Sequence, residues 1–239
     1  MISRITRKNI LNNWSNKIRQ LHTAQQPPFD PTNGLKPLFS QEGLAMNLNQ
    51  YNMHLSKLNS LIKGTTYENL SLFETIRQAS VRFEDRSIYE HATQVYSNQL
   101  FLESYVPELE SPISSGLLQM INRRSESLDA FKDELVLESK ALFGSGWLWV
   151  GQTNSYIHVS TTLNGECGFF PYRPQKDSVP VEQIQPIFNP LFCINLWGSS
   201  YLFDYGLDKE SYIKNAINNI TWDAVVKRQL SFNAANKSY

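Results

Sequence analysis

Residues 195–205 hold a dense run of side chains able to bind or react: Asn195, Ser199, Ser200, Tyr201, Asp204 and Tyr205, set around Trp197. A serine such as Ser199 with a histidine and an acid would suggest acyl transfer. The chain has no G-x-S-x-G elbow, however, and nothing in the spacing of His54, His91 and His158 brings them to Ser199. Gly144-Ser145-Gly146 lacks the GxxxxGK(S/T) and GxGxxG patterns and runs into Trp147, so it reads as a turn rather than a phosphate cradle. His91 reads as a solvated residue near a helix start. Cys167 and Cys193 show no CxxC spacing and belong to no larger cysteine framework, which predicts buried or free thiols in a reducing compartment.

The elements that must position these residues follow from periodicity. From Ser40 to Lys63, Leu44, Met46, Leu48, Met53, Leu55, Leu58, Leu61 and Ile62 recur mainly at three- and four-residue steps, and Gly64 supplies a helix stop. A second helix is predicted from about Ile88 to Leu102. Pro107 to Gly116, with Pro112 and three serines, has neither helical nor strand period and reads as a linker. Ser127 then caps a helix carrying Leu128, Phe131, Leu135 and Leu142, with Asp129 favourably placed in its first turn. Beyond Gly146 the period changes. Trp147–Val150, Tyr156–Thr161 and Phe192–Leu196 read as strands, with Asn164-Gly165 as a turn. A further helix runs from about Lys209 to Asn219. The fold class expected is α+β: an N-terminal α-helical hairpin over residues 38–110, then a small α/β domain with an antiparallel sheet over residues 117–239.

With 239 residues, 41% of them hydrophobic and 18% charged, the chain has the composition of a folded core rather than of a disordered one. No apolar run approaches the roughly 20 residues that cross a bilayer. Arg4, Arg7, Lys8, Lys17 and Arg19 precede the first acidic residue, Asp30, and Ile2, Ile5, Ile10, Leu11 and Trp14 are interspersed among them. This basic amphipathic composition is that of a mitochondrial transit peptide, expected over residues 1–24 with removal near Leu21-His22-Thr23. Without those five cations, 22 basic against 22 acidic residues becomes 17 against 22. A mildly acidic mature chain favours contacts with protein over wide contact with nucleic acid, leaving Arg123-Arg124 as a local basic patch.

Four separated segments resemble the iron/manganese superoxide dismutases, in the same order and at similar spacing, over roughly Ser40 to Arg228. They are His54 to Thr65, Ala92 to Asn98, Ser127 to Val150 with Phe143-Gly144-Ser145-Gly146-Trp147-Leu148-Trp149-Val150, and Pro190 to Tyr205 with Trp222 to Arg228. The family places a metal ligand at each of four positions. The resemblance carries these onto Met46, Asn98, Asn195 and Ser199, where three histidines and an aspartate would stand. Methionine favours softer metals, and neutral amides and a hydroxyl bind transition ions weakly. These are therefore read as vestigial ligand positions, with Asn98, Asn195 and Ser199 bonding to one another or to a trapped water in the core. The family's gateway tyrosine corresponds to His54 and a nearby histidine to Gln50. Its cross-dimer glutamate corresponds to Gly198 and an interface tyrosine to Leu202. Trp147, Trp149, Trp197 and Tyr201 match aromatics that pack around the family's site.

A dismutase-like chain with a transit peptide and these substitutions looks like the dismutase-derived proteins of the mitochondrial small ribosomal subunit, which in fungi occur as a related pair. The resemblance implies a structural subunit in the mitochondrial matrix that is not an enzyme, with no catalytic, cofactor-binding or metal residues. It also implies a heterodimer with a related dismutase-like subunit, contacts with neighbouring ribosomal proteins and limited rRNA contact. The alternative is a free mitochondrial pseudoenzyme or binding module on the same fold.

Overall fold

A computed structural model describes residues 21–106, 112–154, 156–175, 180 and 183–236. Residues 1–20 of the expected leader, and residues 107–111 of the expected linker, lie outside them. The first long helix, α1 (Gln41–Ile62), begins where Ser40 Oγ accepts the amide of Gly43 at 3.0 Å. It buries Leu44, Asn47, Tyr51, Leu55, Leu58 and Ile62, one stripe at three- and four-residue steps. It stops at Lys63, before Gly64 with φ +76°.

Three short helices escaped the sequence reading. α2 (Leu72–Ala79) carries a capping signal, Ser71 Oγ accepting from Glu74 N at 3.2 Å, but eight residues are too few to show a clear period. α3 (Arg86–Leu102) is the second expected helix, and it packs against α1, α2 and a sheet strand, which is why it buries residues over a wide arc. The expected linker ends earlier than Gly116, because Ser114 caps α4 (Ser115–Ser125). α5 (Leu128–Ala141) starts at the predicted cap, with Ser127 Oγ accepting from Ala130 N at 3.1 Å. Arg124 joins α4 to α5 and to the sheet, donating to Glu134 at 2.5 Å and to the Ile157 carbonyl at 3.2 Å. Half of the expected basic patch is thus spent inside the fold.

The sheet has the order β2-β1-β3, from β1 (Gly146–Gln152), β2 (Ile157–Leu163) and β3 (Asn189–Asn195), all antiparallel. All seven residues of the central strand β1 are buried, and Trp147 lies opposite Thr162 on one side and Asn195 on the other. Phe169, Phe170 and Phe188, from the long β2–β3 connection, close over it; Phe169 meets Trp149 at 5.7 Å and Phe73 of α2 at 5.5 Å. α6 (Gly198–Tyr205), α7 (Lys209–Asn218) and α8 (Trp222–Asn236) complete the chain. α6 was legible only as a polar motif. α7 matches its expected span, and α8 extends the expected closing segment. One buried cluster runs from Leu35 through α1, α3 and the sheet to Val225. Each fully buried Leu, Ile or Phe in it contributes roughly 1.5–3 kcal/mol.

α1 and α6 approach most closely at Gly43. A Cβ there would lie 1.9 Å from Asp204 Oδ2, the atom that accepts the Ser40 amide at the start of α1. Gly43→Ala is expected to push the Asp204 carboxylate aside and forfeit its bond to the Ser40 amide, at a cost of about 0.5–1.5 kcal/mol. At Gly116 in α4 an added Cβ meets nothing within 4 Å, so Gly116→Ala should be neutral or stabilising. Thermal unfolding of the two variants checks the pair, and equal effects would contradict this packing of α1 on α6.

Candidate functional site

The four positions singled out in the sequence divide into two environments. Asn98 of α3 and Asn195 at the end of β3 are both buried, and Asn195 Nδ2 donates to Asn98 Oδ1 at 3.4 Å. Asn98 Nδ2 donates to Gln94 O at 2.8 Å, and Asn195 Oδ1 accepts from Trp197 N at 3.0 Å. Met46 and Ser199 lie at the surface, with Met46 42% exposed. The expectation that Ser199 joins the two asparagines in the core is therefore corrected. Ser199 opens α6 on its outer side and donates to Gln50 Oε1 at 2.9 Å.

The core position on α1 belongs to the next residue, Asn47. Asn47 Nδ2 donates to Gly43 O at 2.9 Å and to Ser200 O at 3.1 Å, while Asn47 Oδ1 accepts from Ser200 Oγ at 2.8 Å. Ser200 Oγ lies 3.2 Å from Tyr212 Oη, which donates to the backbone carbonyl of Asn195 at 2.7 Å. Asn47, Ser200 and Tyr212 went unread in the sequence. The available signal was an asparagine within an apolar helical stripe, which a folded chain tolerates only with partners.

Met46, Asn98, Asn195 and Ser199 do not fit iron or manganese. Two neutral amides, a hydroxyl and a thioether are weak donors for these ions, and the amide oxygens are spent, Asn98 Oδ1 on Asn195 Nδ2 and Asn195 Oδ1 on a backbone amide. The buried polar atoms left over point the same way. Trp147 faces Asn195 across the β1–β3 ladder, and the indole Nε1–H groups of Trp147 and Trp197 are buried with no acceptor among the described residues. Unspent N–H donors favour lone pairs or negative charge, not a cation. Among the described residues, no group of three or more His, Cys, Asp or Glu could hold a metal ion.

The expected aromatic cluster is split in two. Trp147 and Trp149 lie 6.3 Å apart on the strand, whereas Tyr201 stacks on Tyr212 at 5.3 Å. Cys167 and Cys193 are buried free thiols, and burial raises both above the usual thiol range. Neither has the exposed, electropositive surroundings of a reactive thiolate.

His91, expected to be solvated, is half-buried and pairs with His54 of α1, Nδ1 to Nδ1 at 2.9 Å. Burial, then the neighbouring His91, pushes the His54 imidazole down to about 4; burial, then Lys57, lowers His91. The spacing of His54 and His91 in the sequence gave no reason for them to meet. It is the crossing of α1 and α3 that joins them.

Comparison with known proteins supplies the frame around this geometry. Residues 113–228 match the sequence profile described as "Iron/manganese superoxide dismutases, C-terminal domain". The chain is 26% identical over 199 residues to the protein named superoxide dismutase [Fe] from Bacteroides fragilis, covering 82% of this chain and 93% of that one. It is 28% identical over 197 residues to the superoxide dismutase [Fe] of Coxiella burnetii, covering 82% and 92%. A chloroplastic superoxide dismutase [Fe] 2 from Oryza sativa aligns at 24% over 235 residues, 95% of this chain and 85% of that one. The reading of this chain as not an enzyme is corrected by these relatives, which are named as enzymes: the similarity points toward an enzyme family.

Two measurements test the site. Asn195→Asp would place a carboxylate beside Asn98 Oδ1 with no cation to meet it, at a cost of about 3 kcal/mol at neutral pH, in chelator. The folded-state pKa of that carboxylate is raised, so the loss should shrink as pH falls toward the unfolded value near 4. Denaturant titration reads it, and a loss under about 1 kcal/mol would mean the position is open to water. His54 has the opposite chemistry. Its folded pKa of about 4 lies below the ordinary imidazole value of 6.5, so the unfolded chain binds the extra proton between them and stability falls as pH drops through that window. His54→Gln should flatten this part of the stability–pH curve. The eight helices and three-stranded antiparallel sheet among the described residues are consistent with the α+β fold of the iron/manganese superoxide dismutases, and residues 113–228 match the profile of that family's C-terminal domain, at low identity to its members.

Proposed function

We propose that this chain is a dismutase-derived structural component of the mitochondrial small ribosomal subunit. The observation that carries the reading is the buried, mutually bonded pair Asn98 and Asn195, at positions where the resemblance would place a histidine and an aspartate. Two further features support it. The basic amphipathic composition before Asp30 suits import into the matrix, and the chain beyond it carries 17 basic against 22 acidic residues, which suits a peripheral place among proteins. Leu202 and Phe203 of α6, 47% and 56% exposed beside Ser199, offer an apolar face for a related dismutase-like subunit.

The start of the mature chain belongs to the same proposal. His22 N donates to Asn59 Oδ1 at 3.0 Å and Asn59 Nδ2 returns a bond to His22 O at 2.8 Å, while Gln25 N donates to Tyr51 Oη at 2.9 Å. Residues 22–25 therefore serve the folded body. Removal before Leu21 keeps these bonds, and removal after residue 24 discards the reciprocal pair.

A mitochondrial lysate fractionated on a sucrose gradient, with this chain followed by mass spectrometry at low and high salt, tests the proposal. Co-migration with the small ribosomal subunit and a dismutase-like relative is expected, with an N-terminal peptide that retains His22. A peak confined to light, soluble fractions would overturn it and favour a free matrix protein on the same fold.

A further inference from the structure

The contact between His54 and His91 lies two turns along α1 from Met46 and shares no residue with the Asn98–Asn195 pair. Both rings are half-buried, tilted by 48° with centroids 5.1 Å apart, and their Nδ1 atoms meet at 2.9 Å. A neutral imidazole has one N–H and one lone pair, so one Nδ1 here donates to the other. The proton between them occupies a place that a cation could take.

One ion can reach both nitrogens. Bonds from imidazole nitrogen to a late first-row ion are about 2.0–2.1 Å, so an ion beside the line that joins two nitrogens 2.9 Å apart is within reach of both once the rings turn. Ligand type selects the kind of ion: imidazole suits late divalent ions, affinity at such a site peaks at Cu(II), and Cu(II) and Ni(II) take tetragonal nitrogen sites with the remaining positions open.

We propose that His54 and His91 form a bidentate site for a tetragonal divalent ion, Cu(II) before Ni(II), at the crossing of α1 and α3. Without metal the N–H of one ring faces the lone pair of the other; a turn of each ring about its Cβ–Cγ bond, with both Nδ1 atoms unprotonated, aims both lone pairs at one point beside the line that joins them. The ring that donates through Nδ1 moves its proton to Nε2 by exchange with solvent. Both rings stay neutral, and no net proton is released. No third His, Cys, Asp or Glu completes a cluster among the described residues, so water fills the remaining positions and the ion stays open to an added ligand. Two neighbouring charges act in opposite senses. Glu90, next to His91 on α3, favours a cation, and Lys57, three residues after His54 on α1, opposes it from an exposed position.

The test uses the full chain, stripped with chelator and given one equivalent of Cu(II) in the presence of glycine to compete for loose surface binding. Electron paramagnetic resonance is expected to show a tetragonal signal with hyperfine coupling to two imidazole nitrogens. His54→Gln and His91→Gln should each weaken binding by about tenfold or more, while His22→Gln and His158→Gln leave the two-nitrogen signal unchanged. Circular dichroism confirms that each variant is folded. Independently of any variant, Cu(II) should broaden the amide resonances of the unsubstituted chain around His54 and His91 before any others. A parent signal without two-nitrogen coupling, coupling that survives His54→Gln and His91→Gln, or broadening centred elsewhere overturns the proposal.

Discussion

The buried hydrogen-bond chain from Asn47 through Ser200 and Tyr212 to the backbone of Asn195 is the constraint on which the site depends. It joins α1, α6, α7 and the end of β3, elements separated by up to 165 residues of sequence. Each member is buried, so each would be costly without its partners, and together they allow one arrangement of α1 against α6. Burial pushes the Tyr212 hydroxyl above its ordinary range, which keeps it a neutral donor. Gly43, with no room for a side chain against Asp204, holds the same crossing from the other end. The surface positions of Met46 and Ser199 follow from this. With Asn47 and Ser200 turned inward, the residues just before them on their helices turn outward.

The fold is consistent with that of the iron/manganese superoxide dismutases, and the centre of its frame holds neutral amides. A frame of this kind rests on the fully buried strand β1, the aromatics that cover it and the packing of α3 against β3, none of which needs a metal. At the centre lies an amide–amide contact, and the indole donors of Trp147 and Trp197 have no acceptor among the described residues. Such a centre is inexpensive to bury, because it carries no net charge into a low-dielectric interior. The His54–His91 contact shows the converse. Two imidazoles are held half-buried against one another, and both are shifted toward the neutral form, chiefly by burial.

Much of the fold was legible in the chain. The apolar stripe of α1, the Ser127 cap of α5 and the strand around Trp147 each combine a strong period with a clear start or stop, and each lies close to where periodicity put it. The elements that were missed are those whose signals are short. α2 has a cap but only eight residues, α4 begins inside a serine-rich stretch that reads as linker, and α6 coincides with a polar motif that drew attention to chemistry rather than to helix.

For the site, sequence by itself determined which donor types are present: amides, a hydroxyl and a thioether where the resemblance carries the ligands, and buried thiols without a reactive setting. These are local properties of side chains, and no fold changes them. Only the tertiary structure decided which of them meet. It separated Met46 and Ser199 from Asn98 and Asn195, drew in Asn47, Ser200 and Tyr212, spent Arg124 on Glu134 and the Ile157 carbonyl, and brought His54 to His91. The physical reason is rotational. A residue's place on a helix is known from its number, but which face turns inward depends on the partner that face must bury, and that partner lies far away in the chain.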